Sequence, residues 1–157
     1  MSGTNKAVQV LKDILGLKYE PIAVNFLETK AAPQGFEMPI ERRYFQLLMG
    51  AGEGRKLLLT RATSPARQPP GALGFKEPPL KLTSGEMTAS MGIFASPVVG
   101  RKTLSTMLRL PMGKYKAIAC CHLTAAPFGP DVVVLEATAE QLMWPAENAL
   151  EVGLYWR

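Results

Sequence analysis

The chain has 157 residues, 47% hydrophobic and 20% charged, with two cysteines and one histidine. That size and balance suit one soluble globular domain, and two cysteines exclude a disulfide framework. No apolar run nears the roughly 20 residues that span a bilayer. The first twenty residues break each short apolar stretch with a charge and do not read as a signal peptide, so a cytoplasmic location is expected. The net charge of +5 raises the question of nucleic acid. However, the basic residues fall as short pairs (Arg42 and Arg43, Arg55 and Lys56, Arg101 and Lys102), with Arg61, Arg67, Lys114 and Lys116 apart. No RNP-like aromatic strand or helix-turn-helix pattern accompanies them, and a mildly basic solvated surface is the reading they support.

Taken in chain order, Thr4 can cap a first helix carrying Val8, Leu11, Ile14 and Leu15 at helical spacing, with Gly16 closing it. Pro21–Leu27 is a short β-rich run, hence a strand. Two prolines and a glycine make Ala31–Pro39 a loop. Pro39 then suits the first turn of a helix that runs to Gly50. Lys56–Thr60 is a second strand. Five prolines between Pro65 and Pro79 rule out a long helix or central strand there.

Thr83 with Glu86 forms a capping-box pattern for a helix through GEMTASMGIF. Ser96 and Pro97 open another, with Val98, Arg101, Leu104, Met107 and Leu108 following at helical spacing. The last third predicts a strand at Lys116–Leu123, a turn at FGPD, a strand at Val132–Ala137, and a helix from a Thr138/Gln141 capping box. Strands and helices interleave, so the expected fold is α/β (or α+β): a single domain over residues 1–157, with a mixed sheet of about four or more strands covered by helices. The short turn at FGPD is compatible with antiparallel pairing of the last two strands.

Two stretches look like chemistry. GAGEGRK (Gly50–Lys56) resembles a phosphate loop, but its order is helix, glycines, strand, and Leu57 follows the lysine where a P-loop requires Ser or Thr. A helix end with a tight turn fits better. The second stretch is Cys120, Cys121 and His122. Alternation on a strand puts Cys120 and His122 on one face and Cys121 on the other. A structural zinc site wants four Cys or His ligands, the chain holds three such residues, and nothing in the sequence brings Asp131 or Glu136 to them. No metal site is predicted and no cofactor is indicated. A nucleophile–base pairing of Cys120 with His122 is geometrically conceivable. Against it, Ile118, Ala119 and Leu123 make the segment read as core, where free cysteine behaves as a small hydrophobe. A vicinal disulfide would be strained and disfavoured in a reducing compartment.

Several pieces together resemble an uncharacterised archaeal and bacterial group, domain-of-unknown-function family 169 (ArCR-like). They are LGLKYEPIAVNFL, QLLMGAGEGRKLLLT, GALGFKEPP, LPMGKYKAIACCHL and PDVVVLEATAEQLMW, in order over Leu15–Trp144. The resemblance implies no activity. It does imply departures: members tend to carry a cysteine near the position of Phe45, another near Pro65 and Ala66, and Pro-Leu where this chain reads His122 and Leu123. Members also tend to continue further, with more cysteines, so the resemblance implies a divergent, C-terminally shortened member matching the family's N-terminal two-thirds. Pro145 is expected to kink or end the last helix, at a cost of about 3 kcal/mol for an interior position.

The expected function is a non-catalytic binding or interaction domain, with enzymatic activity disfavoured. Its partner surface, for a second copy or another protein, would be the apolar C-terminal set Leu142, Met143, Trp144, Tyr155 and Trp156. The alternatives are a thiol-dependent redox or metal-binding protein using Cys120, Cys121 and His122, and a binder of an anionic ligand on the basic surface.

Overall fold

In the computed structural model, which describes residues 3–39, 44–63, 71–141 and 143, the apolar runs of the sequence become the strands of one sheet. Helix α1 spans Gly3–Leu15, β1 Ile22–Leu27, α2 Tyr44–Gly52 and β2 Leu57–Thr60. The short helices α3 (Leu80–Thr83) and α4 (Glu86–Ser90) lead to α5 (Pro97–Thr106). Strand β3 (Ala117–His122), a 3-10 turn (Leu123–Ala125) and β4 (Val132–Val134) follow. The fold is a single α/β domain with a four-stranded sheet, in the order β2-β3-β1-β4.

All three ladders are antiparallel. The sheet is thus antiparallel where a mixed one was expected; the parallel contact is an isolated bridge outside the strands, Glu37 to Leu57, in which Glu37 N donates to Lys56 O and Leu58 N to Glu37 O, both at 2.9 Å. The last two strands are not neighbours, contrary to the pairing that the short turn allowed. Strand β1 lies between them, with Ile22 opposite both His122 and Val134. Turn length permits a hairpin, but the buried IAVNFL run is the better partner for both strands, because it can fill a central position with apolar side chains on both faces. Strand β4 is also shorter than expected, ending at Val134.

Alternation builds two packed faces. One carries Ile22, Val24, Leu57, Leu59, Ile118 and Cys120, closed by Leu47 and Ala51 of α2 and by Phe75. The other gathers Leu58, Ala117 and Ala119 against Leu27, Phe36 and Phe128.

The ends of the elements follow local chemistry. Gly16 adopts φ 60° after α1, and Leu17 N donates back to Lys12 O at 3.1 Å, a glycine-dependent helix end. Thr4 stands inside α1 rather than before it. Ser96 Oγ accepts from Val99 N at 3.4 Å with Pro97 in the first turn, as expected; α5 ends at Thr106, leaving Met107 and Leu108 beyond it and exposed. Thr138 and Gln141 cap reciprocally at 2.7 and 3.3 Å. The Thr83/Glu86 box does not form. Thr83 closes α3 by donating to Leu80 O at 3.1 Å, and Gly85, at φ 83°, starts α4 instead. Helix α2 ends at Gly52, with Gly54 (φ 96°) turning the chain into β2. The GAGEGRK stretch is thus a helix end and turn. The start of that helix before Tyr44, and Pro145, lie outside the described residues.

Candidate functional site

The central strand β3 carries the triplet. Cys120 is 2% exposed and Cys121 0%, on opposite faces, and both thiols are free. Cys120 packs among Leu47, Leu57 and Ile118. Burial, with a smaller contribution from Cys121, pushes its thiol up to about 12. Burial also raises the thiol of Cys121, against an opposing pull from the Lys56 ammonium. Both therefore hold their protons at neutral pH, where only a thiolate attacks.

His122 shares the face of Cys120, roughly 7 Å along the strand for residues two apart. Its nitrogens face elsewhere. Nε2 lies 2.9 Å from Gly52 O; a carbonyl can only accept, so Nε2 carries the proton. Nδ1 faces Glu20 Oε2 at 3.7 Å. Glu20 in turn lies 3.9 Å from Lys12 Nζ and accepts from Thr124 Oγ1. The ring thereby ties the end of α2 and the approach to β1 onto the end of β3.

The carboxylates weighed as further ligands are placed elsewhere. Asp131 Oδ2 accepts from Phe26 N at 2.7 Å and Asn25 Nδ2 at 2.9 Å, closing the β1 edge where its pairing with β4 stops. Glu136 is exposed. Among the described residues, no three His, Cys, Asp or Glu side chains gather where they could hold a metal ion.

A different cluster stands at one end of the sheet. The register sets Leu27, Thr60 and Ala117 side by side. Just beyond them come Lys30, Arg61 and Lys116, which line an open cleft of about 320 Å³. Phe75 and Tyr115 contribute aromatic wall, with Tyr115 half-buried and its ring 5.4 Å from that of Phe26. Gly74 and Gly113 complete the lining and are joined by a 2.9 Å hydrogen bond from Gly113 N to Gly74 O. A Cβ at Gly74 (φ 70°) would lie 2.6 Å from Pro111 O, so only glycine lets these two loops meet.

Arg61 lies within a side-chain-locked turn in which Thr60 N donates to Thr63 Oγ1 at 2.9 Å. Lys116 is anchored by its backbone, N to Leu27 O at 2.7 Å, and its ammonium donates to Gly113 O. Among the described residues, no ion pair involves Lys30, Arg61 or Lys116, whereas neighbouring Lys114 lies 3.9 Å from Glu28. In the sequence Arg61 and Lys116 stand as scattered charges, and Lys30 lies in no motif. The available signal was their position, each one to three residues from the same end of a strand.

Of the apolar C-terminal set, Met143 is exposed, while Leu142, Trp144, Tyr155 and Trp156 lie outside the described residues. Arg42, Arg43, Arg67, Pro65 and Ala66 also lie outside them. No helix among the described residues is long and apolar enough to cross a membrane.

Among known proteins, the model of domain-of-unknown-function family 169, described as "Uncharacterised ArCR", matches residues 10–151. No curated protein and no solved structure matches.

Proposed function

The chain belongs to domain-of-unknown-function family 169, and on that premise we propose that it is a non-catalytic binding or interaction domain. The observation that carries this reading is the burial of both thiols, one on each face of the central strand, with Cys120 pushed up to about 12. A thiol-dependent enzyme needs a depressed pKa and an accessible sulfur, and this strand favours the reverse. Cys120 and Cys121 act as core packing, and His122 as a fastener between β3, Gly52 and Glu20.

The test is alkylation of the native protein by iodoacetamide between pH 6 and 9. Both thiols are expected to react slowly at every pH, and rapidly once urea opens the fold. A thiol that reacts fast at pH 7, with a midpoint below 8, would sink the reading and restore the redox alternative.

The partner we propose is a second copy or another protein, held through an apolar surface that includes Met143, with Leu142, Trp144, Tyr155 and Trp156. The exposure of Met143 supports it, and the mass of the particle in solution tests it. A cytoplasmic setting fits the two free thiols; lasting reduction of both in the native cell is its check, and an oxidised pair would argue against it.

A further inference from the structure

We infer that the cleft beyond Leu27, Thr60 and Ala117 is a binding site for a small, multiply charged oxyanion with a short apolar body, either an organic phosphate or a di- or tricarboxylate. This rests on the binding-domain reading and gives it a place and a ligand class.

Lys30, Arg61 and Lys116 come from three separate segments and converge on one cleft, with no carboxylate among the described residues that line it. Like charges brought together repel, and an anion between them removes that cost. Neighbouring Lys114, by contrast, lies 3.9 Å from Glu28.

Arg61 offers a planar fork suited to two oxygens of one phosphate or carboxylate, while the lysines act as point charges. Its backbone is fixed by the Thr60–Thr63 turn, and Lys116 by its hydrogen bond to β1. Two of the three charges are therefore held at the sheet end by backbone anchors, which lowers the ordering cost of binding.

Gly74 and Gly113, joined backbone to backbone, contribute no side chains to the lining, and Tyr115 with Phe75 supplies an aromatic surface. About 320 Å³ is at the lower end of small-molecule sites. An extended polyanion such as nucleic acid would need a track of charge rather than this single concavity.

The test is calorimetric titration of the full chain at low salt with pyrophosphate, phenyl phosphate and citrate, with heparin as the polymeric competitor. Saturable one-site binding of phenyl phosphate or citrate is expected, tighter than that of pyrophosphate; whichever of the two binds better identifies the source. Arg61→Gln and Lys116→Gln should each weaken it about tenfold, as loss of one charged hydrogen-bonding partner does. Lys102→Gln, which removes the same charge from α5, should leave it unchanged. In the unmodified protein, the amide resonances of Gly74 and Gly113 should shift during the same titration, a readout independent of any variant's folding.

The assignment is overturned if none of the small anions saturates, if Lys102→Gln weakens binding as much as Arg61→Gln, or if heparin alone binds. Those failures with unreactive thiols remove the cleft assignment and leave the binding-domain reading standing; a fast-reacting thiol removes the reading itself.

Discussion

Cys120 shows how one side chain can serve as a pH probe of packing. Its thiol is pushed up to about 12 from an ordinary 9.0 by burial. The folded state keeps a proton that the unfolded chain releases, so the stabilisation is full below pH 9 and is lost as pH rises from 9 towards 12. The slope is about 1.4 kcal/mol per pH unit for one fully shifted thiol. Urea unfolding at pH 8.0 and 10.5 should therefore show wild type losing more stability than Cys120→Ala. The alanine variant also carries a pH-independent loss from the cavity it leaves. Parallel pH dependences for the two proteins would remove the thiol from the account. The alternation that separates Cys120 from Cys121 was legible in the sequence, because period two needs no tertiary information. The partner of His122 was not, because Gly52 O reaches it only through the fold.

Helix ends divide sharply into those that local chemistry determines and those it does not. Ser96 and the Thr138/Gln141 pair cap as the sequence implies, since each motif satisfies its own backbone donors. The Thr83/Glu86 box loses to a glycine. Gly85 takes φ 83°, and its missing Cβ would lie 2.1 Å from Pro97 O and 2.5 Å from Arg101 N. That space is where α4 meets α5, and Thr88 Oγ1 donates to Gly85 O at 3.0 Å beside it. Gly85→Ala combines backbone strain with a collision against two main-chain atoms, and should cost about 3 kcal/mol or more. Gly92 (φ 71°) has nothing within 4 Å of its missing Cβ, so Gly92→Ala isolates the strain, at about 1 kcal/mol. Chemical denaturation of both variants checks the difference; equal losses would mean the approach of α5 carries no energy.

For the whole molecule, the apolar runs announced an α/β domain with four strands, and β1, β2 and β3 lie within a residue of the expected bounds. Their neighbours were not legible: periodicity says which face a side chain takes, not which strand lies alongside. The cationic cleft was hidden for the same reason, since only the register brings Lys30, Arg61 and Lys116 to one end. The proposed apolar partner surface is also a property at this scale. Sedimentation at micromolar concentration should show a particle heavier than the 17.1 kDa chain if the partner is a second copy. Met143→Glu should shift that particle towards the monomer; a wild-type protein that sediments only as monomer counts against self-association.

The position of β3 between β2 and β1 also sets an order of assembly. The nearest paired residues in any ladder, Thr60 and Ala117, are separated by all of α3, α4 and α5. Such high contact order slows folding, because loop closure must precede the contacts that reward it. On the ribosome, neither of the first two strands has a neighbouring strand until Ala117–His122 arrives between them. The segment that looked most like a reactive site is the one for which the rest of the sheet must wait.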